Sequence, residues 1–260
     1  MRIPIFCFVL LLCIGLGDVS ILPAQTPGKF DRPEILPEPT RKFGRRELAG
    51  KERILWIGGG HWHDTARYYA QLRYHYETEQ KENWHFTYTE DTDVFTRLDD
   101  WDAVFMYNQL DTMTVAEEDA LLKYINKGKR VVALHSTSVA FMWFYKERFK
   151  QYTDLFGAEV THHPPQQNFP VKVAAPNHPV MQGVSDFTVW DEFYMHKDMS
   201  DDRQVLLTGI MDGETLDLAW SRKVGRGELL YIALGHGVEA MSNPALQKII
   251  QNSIHWMLDE

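Results

Sequence analysis

Histidine follows three separate apolar segments of this chain. His61 and His63 come after the run RILWIGG, and His135 ends the run RVVALH. His236 lies in LGHG, at the end of a further apolar run. Imidazole nitrogens bind divalent metal ions, and they also carry protons and donate hydrogen bonds to oxygen. If these segment ends meet in space, the residues predict a metal or acid–base site assembled from distant parts of the chain.

Two adjacent carboxylates, Asp191 and Glu192, lie among aromatic residues in the segment VWDEFYMH. A carboxylate without a partner is costly in such surroundings. Three explanations stay open at this point. A basic or metal partner meets the pair, the pKa of a carboxyl is raised for acid–base work, or the backbone donates hydrogen bonds to it.

The histidines also have purely structural explanations. His61 and His63 are two residues apart, so they could form a metal pair on one side of an extended segment, or be solvated, or cap the next helix. The glycines before them lack the G-x-G-x-x-G spacing of a phosphate-binding loop and favour a tight turn. His135 could be a buried histidine satisfied by one hydrogen-bond partner.

Ser136 and the pair His162–His163 are weaker candidates. No G-x-S-x-G motif surrounds Ser136, and the residues after it are not the small ones that a nucleophile elbow needs, so we assign no nucleophile there. Neighbouring side chains point apart in extended chain, so at most one of His162 and His163 should reach a given site.

Strands and helices alternate in the first half of the chain, and they must position these residues. Apolar or alternating runs predict strands at 53–59, 85–91, 103–108 and 130–135. A helix is predicted over Thr65–Glu77, and a second begins after Thr114, with Glu117 completing a capping box. This order predicts a doubly wound, mostly parallel α/β sheet with helices on both faces. Ligands of such sheets gather at the carboxyl ends of the strands.

The second half of the chain is predicted to be rich in β-strand. Strand patterns occur in FPVKVA, FTVWDEFY, QVLLTG, LDLAW and GELLYIAL, with little helix between them. A final helix begins at Asn243-Pro244, with Pro in its first turn. We therefore expect a single domain over 52–260, with a β-rich C-terminal portion added to the α/β core.

The bulk composition fits one globular domain and narrows the class of partner. The chain has 260 residues, of which 44% are hydrophobic and 24% charged, with a formal net charge of -9. An acidic surface argues against nucleic acid and against anionic membrane surfaces as partners.

The N-terminal segment predicts export. Arg2 precedes the apolar run Ile3 to Gly17, so we interpret 1–25 as a cleaved signal peptide and expect a periplasmic or secreted protein without stable membrane insertion. An uncleaved anchor is the alternative, but the apolar run is short for a spanning helix. Residues 26–51 are rich in Pro and charge and are expected to form a tether or a strap on the domain surface. Both cysteines of the chain lie in the signal segment, so the mature protein would have no thiol for a disulfide, a nucleophile or a metal.

Four stretches of the sequence together resemble one known family. They are ILWIGGGHWHD, VVALHSTSVAF, NHPVMQGVSDFTVWDEFY and LAWSRKVGRGELLYIALGHG, and they span nearly all of residues 53–258. In this order they resemble the ThuA-like (trehalose utilisation) family. The resemblance implies a class I glutamine amidotransferase-like fold, related to flavodoxin-like sheets, and a link to the catabolism of disaccharides oxidised to 3-keto sugars. Amidotransferases carry a cysteine where this chain has His135, so cysteine-dependent glutamine hydrolysis is excluded.

The resemblance favours an enzyme that acts on a small-molecule carbohydrate, as a hydrolase or lyase. A 3-keto group makes the neighbouring C2 proton acidic, so that a base can remove it and the glycosidic oxygen can leave. The predicted catalytic residues are His135, Glu192 and His236, with Glu192 as the base or a further metal ligand and the histidines as metal ligands or electrophilic donors. A divalent metal ion, if one is used, is expected on His61, His135 and His236, and no other cofactor is expected. Substrate binding is predicted for His63, Asn108, Trp190 and Tyr194.

Two alternatives to this enzyme stay open. The first is a secreted sugar-binding or accessory module without turnover, because aromatic residues near the site can stack on sugar rings in a binder equally well. The aromatic residues in question are Trp62, Trp143, Trp190 and Tyr194. The second and more remote alternative is a hydrolase that uses Ser136.

Overall fold

The computed structural model describes residues 50–142 and 149–259. The predicted signal peptide, all but the last two residues of the predicted tether, and Trp143 lie outside the described residues. In the described part of the chain, no helix has the length and apolar character that crossing a membrane requires.

Eleven strands and five α-helices make up the described structure. The strands are β1 (Glu52–Ile57), β2 (Trp84–Thr89), β3 (Ala103–Met106), β4 (Arg130–Leu134), β5 (Glu159–His162), β6 (Gln167–Val173), β7 (Phe187–Asp191), β8 (Met195–Lys197), β9 (Arg203–Met211), β10 (Glu214–Val224) and β11 (Gly227–Ile232). The helices are α1 (Thr65–Arg73), α2 (Val115–Asn126), α3 (Phe149–Phe156), α4 (Val238–Met241) and α5 (Pro244–Leu258).

Nine strands form one sheet in the order β2-β1-β3-β4-β11-β10-β9-β6-β7. The first five strands in this order, β2, β1, β3, β4 and β11, are parallel to one another. The remaining pairs, β11 with β10, β10 with β9, β9 with β6 and β6 with β7, are antiparallel. A separate two-stranded sheet pairs β5 with β8. The predicted fold class is confirmed: a doubly wound, flavodoxin-like α/β sheet carries a β-rich C-terminal extension.

Alternate residues of β1 enter two different cores, which explains its continuous apolar sequence. Ile54 and Trp56 pack in the core that also contains residues of α1 and α5. Leu55 and Ile57 pack in the core that contains residues of α2 and α3. A strand that is buried on both faces is typical of a parallel sheet covered by helices on each side.

Helix ends follow the local signals in the sequence. Thr114 and Glu117 form the predicted capping box at the start of α2, and Asn243 caps α5 through the backbone N–H of Ala245. The first helix is shorter than predicted, because α1 ends at Arg73 and the chain continues as a wider π-helical segment over Tyr74–Glu79.

Candidate metal centre

Four side chains from distant parts of the sequence converge at the carboxyl edge of the parallel strands. They are His63, His135, Glu192 and His236, and each offers one ligand atom within 4.8 Å of the others. His135 and Glu192 are buried, and the other two are partly exposed. Histidines that follow different strands therefore meet at this edge of the sheet: His63 lies after β1, His135 after β4 and His236 after β11.

A close backbone contact folds the loop that carries His63. Gly60 pairs with Gln109 in the loop after β3, and a Cβ at Gly60 would lie 2.6 Å from the Gln109 carbonyl oxygen. Gly59 and Gly60 both have positive φ, at 101° and 111°. The glycines thus serve the tight turn that their spacing indicates, and this turn brings His63 to the sheet edge.

His135 follows β4 with a backbone that is unusual for a residue other than glycine. Its φ is 44°, in the left-handed region. The ring is held because its Nδ1 lies 2.7 Å from the carbonyl oxygen of Ala233. A carbonyl only accepts, so Nδ1 carries a proton, and in the neutral ring Nε2 is then the nitrogen with the lone pair. The buried Nε2 is thus prepared to bind a cation or to accept a proton.

Glu192 and His236 complete the cluster. Oε2 of Glu192 lies 3.0 Å from Nδ1 of His236 and 3.5 Å from Nε2 of His135. The same Nδ1 of His236 lies 3.1 Å from Nε2 of His63. The four side chains are therefore joined by consecutive contacts, from His135 to Glu192, His236 and His63.

Asp191, the neighbour of Glu192, faces the backbone instead. Its Oδ2 accepts a hydrogen bond from the N–H of Gly235 at 2.7 Å, and its Oδ1 accepts from the N–H groups of His236 and Glu192 at 3.0 and 2.9 Å. Burial raises the pKa of Asp191. Three backbone N–H groups are therefore the partners of the buried Asp191 carboxylate.

Burial and neighbouring charges set the protonation of the cluster. Burial, followed by electrostatic repulsion from the neighbouring His135 and His236, lowers the pKa of His63 to about 2. Burial opposes ionisation of Glu192, but close contacts and favourable electrostatic interactions with His135 and His236 hold its pKa below the usual range. Burial also disfavours the charged form of His236, yet Glu192 outweighs it and raises the pKa of that ring. Glu192 is therefore ionised and His63 neutral at neutral pH.

The donor set fits a divalent transition-metal ion. Nδ1 of His63 and Nε2 of His135 are buried and have no hydrogen-bond partner among the described residues. Zinc and similar ions bind imidazole nitrogen and carboxylate oxygen at about 2.0–2.2 Å, which sets ligand atoms roughly 3–3.5 Å apart. The contacts of 3.0, 3.1 and 3.5 Å lie in that interval, and the four ligand atoms all lie within 4.8 Å of one another. A site rich in nitrogen does not suit calcium or magnesium, which prefer oxygen ligands.

His61, which the sequence predicts to be a metal ligand, lies outside the cluster. Its Nε2 is 3.1 Å from Oδ2 of Asp111, and its side chain is 74% exposed. The chain bends between His61 and His63, so the two rings do not share one side as they would in a regular strand. His63, which we expected to contact substrate, takes the third histidine position.

The other residues predicted to bind substrate lie in different surroundings. Asn108 is fully buried, and neither atom of its side-chain amide has a hydrogen-bond partner among the described residues. Tyr194 is buried, with its ring centroid 4.3 Å from that of His135. Trp190 is exposed on β7, next to Asp191. Their roles in substrate binding stay predictions.

His163 is the member of the weaker candidate pair, His162–His163, that reaches the site. Nδ1 of His163 lies 3.5 Å from Oε1 of Glu192, and the His163 ring stacks on Tyr194. His162 instead lies near the hydroxyl of Thr161. One member of the adjacent pair thus reaches the site, in keeping with the opposite directions of neighbouring side chains. Its only signal in the sequence was this adjacency, which does not indicate which ring points inward.

The hydroxyl of Ser136 is directed at the backbone. It donates a hydrogen bond to the carbonyl oxygen of Asn108 at 3.3 Å, and the side chain is fully buried. The hydroxyl therefore already has a backbone partner, in agreement with our assigning no nucleophile to Ser136.

Comparisons with known proteins identify the family and the fold. The family model ThuA, described as trehalose utilisation, matches residues 53–257. A ThuA-like protein from Parabacteroides merdae ATCC 43184 is 16% identical with a TM-score of 0.68, over 80% of this chain and 90% of its own. A ThuA-like protein from Bacteroides uniformis ATCC 8492 is 17% identical with a TM-score of 0.66, over 80% and 92%.

A part of a larger enzyme also shares the fold. The beta-galactosidase from Bacillus circulans sp. alkalophilus is 10% identical with a TM-score of 0.53, over 79% of this chain but only 31% of its own. At this identity the likeness concerns the fold alone. A comparison with curated protein sequences finds no match.

Proposed function

This chain belongs to the ThuA family, and from that membership we propose that it is a carbohydrate-processing enzyme. The proposed substrate is an oxidised, 3-keto disaccharide or glycoside, and the proposed reactive centre is the cluster of His63, His135, Glu192 and His236. The family description, trehalose utilisation, supports a sugar as the substrate class.

The observation that carries this proposal is the position of Glu192. An ionised carboxylate with 11% of its side chain exposed faces two histidines at 3.0 and 3.5 Å, beside imidazole nitrogens that have no other partner among the described residues. If these nitrogens served stability alone, we would expect each of them to have a hydrogen-bond partner. Buried polar groups without hydrogen-bond partners, beside a carboxylate with a shifted pKa, are typical of a reactive site.

The chemistry that we propose begins with proton transfer to Glu192. The 3-keto group makes the C2 proton acidic, and the ionised carboxylate of Glu192 removes it. The electrons of the C2–H bond form a C1–C2 double bond as the C1–O bond breaks, and Glu192 returns the proton to the departing glycosidic oxygen. Addition of water to the double bond would complete a hydrolysis, whereas release of the unsaturated sugar would make the enzyme a lyase.

The histidines have a supporting role in this scheme. His63, His135 and His236 would hold a divalent ion, which supplies Lewis-acid stabilisation of negative charge on the ketone oxygen. His135 is oriented for this task by its hydrogen bond to Ala233, because that bond keeps a proton on Nδ1 and makes Nε2 the metal-binding nitrogen of the neutral ring. His63 is neutral at all physiological pH values and so does not need to lose a proton first.

The matching experiment is a screen of the purified chain against native and 3-keto disaccharides, with and without a chelator. We expect turnover of the 3-keto sugars only, and loss of turnover after chelation. Glu192→Gln should abolish the reaction, whereas Glu214→Gln, at an exposed position of β10, and Ser136→Ala should retain it. Turnover that survives Glu192→Gln would contradict the proposal.

A sugar-binding module without turnover is the second candidate, and exposed aromatic side chains favour it. Trp62 is 71% exposed and is the neighbour of His63, and Trp190 is also exposed. Such rings stack on sugars in enzymes and in binders alike. Saturable sugar binding that is lost in Trp62→Ala, in the absence of any turnover, would support the module; Tyr74→Ala, at another exposed aromatic residue, is the control.

We also propose that the protein is exported to the periplasm or secreted, and that residues 26–51 form a tether at the N-terminus of the mature protein. The support is the positive charge and apolar run within residues 1–25. Mass spectrometry of the exported protein should find an N-terminus close to Thr26. Retention of residues 1–25 on the exported protein would contradict this.

A further inference from the structure

We infer that Asp191 is a positioning residue, which holds Glu192 and His236 in place through the backbone of both. This inference rests on the proposed function, because it takes these two side chains as parts of the reactive centre. Asp191 itself offers no atom to the cluster. Its effect is exerted through the main chain of the residues that do.

The three hydrogen bonds of Asp191 join the two segments that carry these residues. The carboxylate accepts from the N–H of Glu192, in its own segment, and from the N–H groups of Gly235 and His236 in the segment after β11. The distances are 2.9, 2.7 and 3.0 Å. A single fully buried side chain therefore fixes the spacing between the backbone of Glu192 and that of His236.

Two tyrosines bind the remaining polar groups of the same segment. The hydroxyl of Tyr107 donates to the carbonyl oxygen of Gly235 at 2.5 Å, and the hydroxyl of Tyr68 donates to that of His236 at 3.3 Å. Both N–H groups and both carbonyl groups of Gly235 and His236 are thus hydrogen-bonded. Gly235 has a φ of 121°, which favours glycine, so the chain reverses there without strain. These hydrogen bonds hold the backbone of His236, so that only its side-chain torsions are left to vary.

A neutral amide cannot replace this carboxylate without loss. Asp191 uses both oxygens as acceptors, whereas asparagine has one acceptor oxygen and an NH2 group that only donates. In Asp191→Asn, one of the backbone N–H groups would face another donor. The volume of the side chain and its burial hardly change, so the substitution tests the hydrogen bonds rather than the packing.

The first test measures binding of Zn²⁺ and Co²⁺ by the purified full chain and by Asp191→Asn. Residues that orient metal ligands are typically worth roughly 10- to 100-fold in metal affinity. We expect a loss of that size, together with a changed visible spectrum of bound Co²⁺, since that spectrum reports coordination. Asp186→Asn is the matched control, because Asp186 also accepts a backbone N–H bond, from Val173 at 2.9 Å, but lies exposed and outside the cluster. Equal affinity and an equal Co²⁺ spectrum in Asp191→Asn would overturn the inference.

The second test needs no metal and keeps the two proposals distinguishable. Amide hydrogen exchange of Gly235 and His236 should be slow in the metal-free wild type and at least about tenfold faster in Asp191→Asn. If the wild type binds neither ion yet shows this difference, the proposed metal centre fails and the positioning role stands. Unprotected amides in the wild type would overturn the positioning role whether or not metal binds.

A second variant covers the case in which Asp191→Asn does not fold. Tyr107→Phe removes only the hydroxyl that binds the Gly235 carbonyl. We expect it to fold, to speed exchange in the same segment and to weaken Co²⁺ binding by a smaller factor. Unchanged exchange and unchanged Co²⁺ binding in Tyr107→Phe, with Asp191→Asn unfolded, would overturn the inference.

Discussion

Glu192 and His236 are in direct contact, with Oε2 of the carboxylate 3.0 Å from Nδ1 of the ring. The two residues come from opposite ends of the antiparallel extension: Glu192 follows its outermost strand, β7, and His236 follows β11, where the parallel part of the sheet begins. The extension therefore does more than lengthen the sheet, because it supplies the one carboxylate of the cluster.

The two histidines of the first loop should differ in metal binding. His63→Ala should weaken Zn²⁺ binding by about 100-fold or more, because it removes a ligand, whereas His61→Ala should leave it within about twofold. Isothermal titration calorimetry on both variants and the wild type measures this. The reverse order of effects would restore the assignment suggested by the sequence alone, in which His61 is the ligand.

Metal affinity should depend on pH through His236. An imidazole must lose its proton before it binds a metal ion. Because the pKa of His236 is raised, protons already compete at pH values above 6.5, and affinity should fall as the pH falls through that range. The low pKa of His63 means that this ring adds no such competition near neutral pH. Zn²⁺ titrations between pH 6 and 8.5 would detect the slope, and a flat profile would contradict it.

His196 should make the fold less stable in mild acid. Burial lowers the pKa of this ring to about 4, and its Nε2 is buried without a hydrogen-bond partner among the described residues. The unfolded chain binds a proton near pH 6.5 and the folded chain does not, so the free energy of unfolding falls as the pH drops from about 6.5 to 4. At about 1.4 kcal/mol per pKa unit, the loss reaches up to about 3 kcal/mol.

Urea unfolding of His196→Gln at pH 7 and pH 5 isolates this contribution. The variant should lose less stability between the two pH values than the wild type does. His162→Gln, at an exposed ring, is the matched control and should behave as the wild type. An unchanged pH dependence in His196→Gln would show that the ring is not buried in its neutral form.

Gly60→Ala should damage both stability and the metal centre. The substitution places a methyl group 2.6 Å from the backbone oxygen of Gln109, at a φ of 111°. We expect a loss of at least about 2 kcal/mol and weaker Zn²⁺ binding, because the loop must move and carries His63 with it. Gly213→Ala has a similar positive φ but open space around it, so it should cost only about 1 kcal/mol and leave Zn²⁺ binding intact. Equal losses of stability and of Zn²⁺ binding in Gly60→Ala and Gly213→Ala would contradict the role of the contact between Gly60 and Gln109.

The sequence was sufficient to predict the core of the fold because its signals there are local. The buried strands β1, β3 and β4 are short apolar runs, and α2 begins at a capping box whose two residues are three apart. The short strands β5 and β8 were not predicted. Neither is long enough to show a hydrophobic period.

The site was predictable only in part, for a geometric reason. The position of His135 and His236 follows from the rule that parallel strands end at one edge of a sheet. The choice between His61 and His63 depends on the bend of one loop, and the approach of His163 to Glu192 depends on the course of the chain around β5. Such features arise from contacts between distant residues, which a single sequence does not encode in its spacing.

The most direct measurement of the central claim follows the C2 proton of a 3-keto disaccharide in D2O by NMR. If Glu192 is the base, the wild type should exchange or eliminate this proton, and Glu192→Gln should do so at least about 100-fold more slowly, in the range that a positioned base contributes. Glu214→Gln should match the wild type. Absence of exchange and elimination in the wild type, or an equal rate in Glu192→Gln, would contradict the assignment of this cluster as the reactive centre.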